Sequence, residues 1–421
     1  MISGARTEET LRDIRVGMLA GSYQPARCGV AHYTARLKEA LGRSGVRVDL
    51  YTDRASAAQG GRADGVKGVT DGWSYRDLLP LARAIRRDDP DLLHIQHAGG
   101  TYGFERAVFS LPPLLRGLGY RGRIVTTAHE YGWWAWSLPA FDGGAHALAR
   151  WGQRRGLWDE EDGFLLTGSD HLVTTNADAE GALLARLPHL APKLTRVPIG
   201  VNIAVQEVER GAARAQLRRR YGWSEGAAVV AFFGFLHPVK GLETLLRAFE
   251  YVQKTQPDAR MLLIGGVESL ALRGAEAANY WASLESLTET LGLGGKVAMT
   301  GYLTDEEVSS LLWGADLGVL PFNAGVTLKS GSLLTLLAHG LPVVGTRPKE
   351  VEPDLAQLLT LVPPKDARAL EGALLAHLSD LNGSRRAAEA GRAFAQNCSW
   401  EGVARQHIGI YEQLLAAPRR G

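Results

Sequence analysis

The chain has 421 residues, enough for two or three domains at roughly 100–200 residues each. With 45% apolar and 22% charged residues and a formal net charge of +2, it lacks the basic excess that nucleic-acid binding calls for. Two distant cysteines, Cys28 and Cys398, argue against a disulfide framework, and no Cys/His cluster has zinc-ligand spacing. In chain order, RVGMLA (15–20) reads as a strand, followed by a glycine-containing loop and a helix over 31–45 whose Tyr33, Leu37, Ala40 and Leu41 keep helical spacing. VRVDLYT (46–52), DLLHIQHA (91–98) and RIVTTAHE (123–130) read as strands, separated by helices over 75–89 and 105–119. Residues 131–165 break this rhythm and hold Trp133, Trp134, Trp136, Trp151 and Trp158. HLVTTNAD, a helix over 179–187 and LTRVPIGVN restore it.

A second alternating series begins at AAVVAFFGFL (227–236) and continues through ARMLLIGG, KVAMTGYL, LGVLPF and LPVVGT, with helices between. Thr304-Asp305-Glu306-Glu307 is a helix start, a threonine cap with acids in the first turn. The charged, alanine-rich stretch 203–225 reads as the linker, and Arg218-Arg219-Arg220 within it as a solvated helix face. The βα alternation predicts an α/β fold of two Rossmann-like, doubly wound parallel-sheet domains facing across a cleft, with ligands at the carboxyl ends of the strands. The N-terminal stretch carries acids and lacks an apolar core, so no secretory signal is expected there. No apolar run reaches the roughly 20 residues that span a bilayer. A cytoplasmic protein is expected, with peripheral contact at the inner face of the membrane left open.

The loops set the candidate chemistry. Neither the G-x-G-x-x-G fingerprint nor the G-x-x-x-x-G-K-[ST] loop is present, which argues against a nicotinamide dehydrogenase and a P-loop NTPase. Gly29 opens a helix after the first strand, where free N–H groups can hold an anion, or it is a plain turn glycine. Lys240 follows a strong strand and precedes another helix, as a point charge suited to phosphate or as a surface lysine. Lys329-Ser330-Gly331-Ser332 begins a further helix with capping hydroxyls and room for close backbone approach, in a segment (325–346) that contains no carboxylate. His97, His129 and Glu130 close two strands and so point to the cleft, whereas His94 reads as core. Asp89/Asp91 and Glu160-Glu161-Asp162 do not make a convincing metal site, and none is expected.

Over nearly its whole length the chain resembles the retaining GT-B glycosyltransferases of the bacterial mannosyl-/glucosyltransferase type. The likeness rests on PARCGVAHYTARLKEAL, RVPIGVN, FFGFLHPVKGLETLLRAF, LLIGG, GYLTDEEVSSLLWGADLGVLPF, LLAHGLPVV and CSWEGVARQHIGIYEQLL. It implies an N-terminal acceptor-binding domain over 1–205, a donor-binding domain over 206–395, and a last helix over 396–421 that crosses back to the first domain. It implies a nucleotide-sugar donor, UDP- or GDP-linked, with no further cofactor and no metal. The acceptor would be a glycan, a lipid-linked molecule or a small molecule. By the same resemblance Gly29 approaches the donor phosphate, His129 lies near the reacting sugar and Lys240 clamps the diphosphate. His97, Glu130, Trp133 and Trp134 fall on the acceptor side. The family's clamping arginine falls on Phe235, and its pair of donor-site glutamates falls on Thr327 and Thr335, with Lys329 where an aromatic residue is usual. Those departures keep two other readings open, a catalytically degenerate binding or regulatory protein and a nucleotide-sugar epimerase on the same fold. The oligomeric state is left open.

Overall fold

The computed structural model describes residues 14–418 apart from 27, 60–64, 133–143, 207 and 270–271. The chain forms two units, one made of residues 1–199 and 400–421, the other of residues 200–399. In the first unit seven strands run in parallel: β1 (Arg15–Ala20), β2 (Arg47–Asp53), β3 (Val66–Thr70), β4 (Leu92–His97), β5 (Arg123–Ala128), β6 (His171–Thr174) and β7 (Leu194–Arg196). Their order is β3-β2-β1-β4-β5-β6-β7. Every residue of β4 and β5 is buried, as expected where helices cover both faces of a parallel sheet. One face packs Leu78, Leu81, Ile85, Phe109 and Leu115 against the strands. The other carries the helix Gly29–Arg43 and the C-terminal helix Trp400–Ala416.

That last helix joins the first unit for a simple reason. Trp400, Val403, Ala404, His407, Ile408 and Tyr411 recur at spacings of three and four, so they fall on one face, and all are buried. The Tyr33 ring meets the Trp400 ring edge-on, with centroids 5.2 Å apart.

The second unit has six parallel strands: β8 (Val229–Phe233), β9 (Arg260–Ile264), β10 (Val297–Met299), β11 (Leu317–Leu320), β12 (Val343–Thr346) and β13 (Thr360–Val362). Their order is β10-β9-β8-β11-β12-β13, around one continuous apolar core. In both sheets the direction of winding reverses beside the first strand, between β1 and β4 and between β8 and β11. Crevices for ligands open beyond the carboxyl ends of the strands at such reversals. Thr304 and Glu307 form the reciprocal cap expected of that helix start.

Two sequence expectations need revision. The stretch 203–225 is not a free linker, because it contains the helix Arg210–Tyr221, which packs on the helix Asp305–Gly314. Within it Arg218 is not solvated. It is 2% exposed and donates to Ala227 O, Arg214 O, Gly314 O and, at 2.8 Å, to Asp316 Oδ2. The short edge strand β3 also forms, although its VKGVT has no long apolar run to announce it.

Candidate functional site

In the second unit the reversal point is built from the loops after β8 and β11. Gly234 leaves β8 at φ +141°, and a Cβ there would lie 2.6 Å from Ser332 Oγ. Only glycine therefore lets the β8 loop lie against the start of the helix Gly331–Ala338. Gly265, which follows β9, is equally tight, since a Cβ there would run into Gly234 O. At the helix start Ser330 Oγ accepts from Leu333 N at 3.3 Å, an N-cap that leaves other first-turn N–H groups without intrahelical partners. The side-chain amide of Asn202 lies where a Cβ on Gly331 would be, so it packs close against the helix start.

Lys240 ends a short turn whose His237 Nδ1 accepts from Val239 N. Asn323, just after β11, holds that turn with two donors: its backbone N–H donates to Val239 O at 3.0 Å and its side-chain amide to Pro238 O at 2.9 Å. The Lys240 ammonium sits 3.7 Å above the centroid of the Phe322 ring. Burial pushes its pKa down to about 8, and no carboxylate pairs with it among the described residues. A cation held partly out of water without a counter-ion, beside a helix start at a sheet reversal, is arranged to receive an anion.

The remaining second-unit candidates divide. Lys329 is exposed and Thr327 half-buried on the turn before the helix, and Thr327 O accepts from Ser330 N at 3.0 Å. Thr335 is 0% exposed, with its hydroxyl enclosed and without a hydrogen-bond partner. Its side chain points into the unit's interior, so it is not a surface to which a ligand has access. A carboxylate does reach the acid-free segment from outside it, where Glu352 Oε1 accepts from Leu328 N at 3.4 Å. Phe235 is half-buried and faces Tyr302, with ring centroids 6.3 Å apart. Phe322, Asn323, Asn202 and Glu352 escaped the sequence reading. The first two had one available signal, their position at the end of the predicted strand LGVLPF and directly after it.

In the first unit Gly29 begins the helix Gly29–Arg43, capped by Cys28 Sγ, which accepts from Ala31 N at 3.2 Å. Nothing lies within 4 Å of where its Cβ would be, so the protein itself places no steric demand for glycine there. His129 directly follows β5. The residue is half-buried, its ring packs 4.7 Å from Tyr33 edge-on, and its Nε2 lies 2.9 Å from Gln96 Oε1. Burial, with His97 and His407 near by, holds its pKa down to about 3, so the ring is neutral at physiological pH. Glu130 is exposed.

His97 does not reach the surface. It is 2% exposed and its Nε2 meets Asp162 Oδ1 at 3.1 Å. Of the acids weighed as metal ligands, Glu161 and Asp162 are internal supports: their backbone N–H groups donate to Asp159 Oδ2, and Glu161 pairs with Arg186 at 2.9 Å and accepts from Gly132 N. Of the Trp-rich stretch, Trp133, Trp134 and Trp136 lie outside the described residues. Trp151 and Trp158 pack on each other with centroids 6.3 Å apart. No described helix is long and apolar enough to cross a membrane.

Comparison with known proteins agrees with this division of the chain. The family model for Glycosyltransferase Family 4 matches residues 28–205, and that for Glycosyl transferases group 1 matches residues 227–380. A D-inositol 3-phosphate glycosyltransferase of Corynebacterium urealyticum is 30% identical over 225 residues, covering 52% of this chain and 51% of the relative. A mannosylfructose-phosphate synthase of Agrobacterium fabrum is 29% identical over 223 residues, covering 49% and 45%. The chain thus spans about half the length of these relatives. Among solved structures, a sucrose-phosphate synthase from Thermosynechococcus elongatus superposes with a TM-score of 0.67 at 19% identity, covering 96% of this chain and all of the other. Anabaena HepE, in complex with UDP-glucose, does so with a TM-score of 0.66 at 17% identity, covering 96% and 100%. Two glycosyltransferase family models thus match in succession along the chain, and its two parallel Rossmann-like sheets have the GT-B fold.

Proposed function

We propose that this protein transfers a hexosyl group from a nucleoside diphosphate sugar, UDP- or GDP-linked, to a hydroxyl of a glycan, lipid-linked or small-molecule acceptor. The observation that carries the proposal is Lys240, a half-buried ammonium without a carboxylate partner among the described residues, at the carboxyl ends of β8 and β11. As the bond from the anomeric carbon to the diphosphate breaks, negative charge grows on the departing phosphate oxygens. Lys240 and the first-turn N–H groups of Gly331 and Ser332 are fixed positive ends for that charge, stronger partners for the leaving group than for the intact donor. Those groups supply the positive charge the step needs, so the proposed reaction runs without a metal ion. Lys329 and Thr327, on the same turn, flank the diphosphate, and Gly29 offers open space at a second helix start. His129 and Glu130 serve the sugar and acceptor in this reading, with anomeric configuration retained. The relatives' activities, as glycosyltransferase and as mannosylfructose-phosphate synthase, and the neighbour bound to UDP-glucose support a nucleotide-sugar donor.

Thr335 favours one second reading. With no carboxylate in the segment and this hydroxyl enclosed, the chain holds a nucleotide without turning it over. Calorimetric titration with UDP, GDP and their glucose and mannose conjugates separates the two, followed by release of nucleoside diphosphate in the presence of sugar-phosphate and polyol acceptors. Binding with release supports transfer, binding without release supports the second reading, and absence of binding across the panel refutes both.

A further inference from the structure

Four large apolar side chains of the first unit stay in water within a short stretch of sequence. Leu148, Trp151, Leu157 and Phe164 keep between 36% and 58% of their surface. The helix Gly144–Arg154 lies directly on the Trp158 ring, because Gly152 has no Cβ to hold it off. Leu148 and Trp151, three positions apart, share an outward stripe of that helix. The rings of Trp151, Trp158 and Phe164 follow one another at centroid distances of 6.3 and 5.9 Å, so these side chains belong to one surface. Leu157 and Phe164 carry it into an open groove of about 230 Å³ walled by Pro112 and Pro113.

The charge beside this surface is of one sign. Arg150 and Arg154, four positions apart, form a neighbouring stripe of the helix, and Arg155 follows its end. All three are exposed, and none has an ion pair among the described residues. The Arg155 guanidinium lies 5.0 Å from the centroid of the Trp151 ring. Residues 144–158 contain no acid. Of the acids that follow, Asp159, Glu161 and Asp162 are buried, which leaves only the half-buried Glu160 beside the three arginines. Arg116, at the groove, is paired with Asp170 at 2.9 Å and adds no net charge.

Apolar surface left in water is costly, and a contiguous patch of it rimmed by charge marks a place of interaction. The arginines decide between the occupants. A second copy docked about a twofold axis would bring the same three cations against their own equivalents. An anionic bilayer takes both halves of the patch, since Leu, Trp and Phe enter the boundary between headgroups and acyl chains while guanidiniums stay at the level of the phosphates. We propose that this face of the first unit docks on an anionic phospholipid surface, with Leu148, Trp151, Leu157 and Phe164 entering the headgroup layer and Arg150, Arg154 and Arg155 on the lipid phosphates. The contact is peripheral, as no described helix is long and apolar enough to cross the bilayer. None of these residues is assigned to the transfer reaction, so the inference stands without it.

The test is flotation of the full chain with vesicles of phosphatidylcholine alone and of phosphatidylcholine mixed with an equal part of phosphatidylglycerol. Wild type is expected to bind the mixed vesicles at least tenfold more tightly than the neutral ones, and less tightly as salt is raised. Arg154→Gln combined with Arg155→Gln should weaken that binding about 25-fold, roughly fivefold for each charge. Leu148→Ser combined with Trp151→Ser should weaken it at least tenfold. All four residues are exposed, so the thermal midpoint of both variants should stay at the wild-type value, which separates loss of docking from loss of folding. Absence of binding to the mixed vesicles, equal binding to both kinds, or binding unchanged in both variants would overturn the proposal. So would a dimer in sedimentation velocity that Leu148→Ser with Trp151→Ser abolishes, which would make the face a contact between copies.

Discussion

Lys240→Met separates function from stability most sharply. The methionine keeps the stem packed on Phe322 but removes the charge. The difference between the ordinary lysine value of 10.5 and the value of about 8 in the fold corresponds to about 3 kcal/mol of strain on the charged form near neutral pH. The lost contact with the Phe322 ring offsets about 0.5–2 kcal/mol of that. The variant should therefore be more stable by about 1–2 kcal/mol, which in a unit of this size raises Tm by roughly 2–4 °C per kcal/mol. Because the folded lysine holds its proton less tightly than the unfolded one, wild-type stability rises between pH 8 and 10.5, and the variant's advantage shrinks over the same interval. Diphosphate binding should fall about 10–100-fold, the value of a charge-assisted hydrogen bond. Urea titrations at pH 7 and pH 10 give the first quantity and calorimetry with UDP and GDP the second. A variant that is less stable than wild type at pH 7 and binds nucleotide as well would refute the reasoning at both steps.

Two further substitutions test the reading from other sides. Arg218→Met leaves three carbonyls and one oxygen of Asp316 without their buried donor, although Arg214 and Arg385 still pair with that carboxylate. It should cost about 3 kcal/mol in a urea titration, and a cost below about 1 kcal/mol would show the arginine to be dispensable. Gly29→Ala meets no atom within 4 Å, so folding stability should stay level or gain a few tenths of a kcal/mol. Ligand affinity should nevertheless fall at least fivefold by calorimetry if a phosphate comes against that helix start, and an unchanged affinity would remove Gly29 from the site.

The sequence revealed what is periodic and local. Alternating strands and helices, the cap at Thr304 and the strand-end placement of His129 and Lys240 depend on neighbours within a few positions. What it concealed depends on distant partners. Arg218 looks solvated beside Arg219 and Arg220 until Asp316 and the end of the helix Asp305–Gly314 are brought against it. His97 looks like a cleft residue until Asp162, 65 positions away, encloses it. Thr335 is expected at a ligand by resemblance, yet it lies in a short helix buried on every side, with Leu333, Leu334, Leu336 and Leu337 buried as well. The carboxylate missing from the segment 325–346 arrives from Glu352, beyond the next strand.

The first unit closes only with the helix Trp400–Ala416, whose residues are made after those of the second unit. Residues 200–399 form a unit with its own core, able to condense while the chain is still being synthesised. The first seven strands, made earlier, must wait with an apolar face that Trp400, Val403, Ile408 and Tyr411 have yet to cover. The order of synthesis is thus reversed in the order of completion. The buried His94 ring meets the Tyr411 hydroxyl, 2.6 Å from its Nδ1, only when that helix arrives, so a chain interrupted before residue 400 would carry a finished second unit and an unfinished first one.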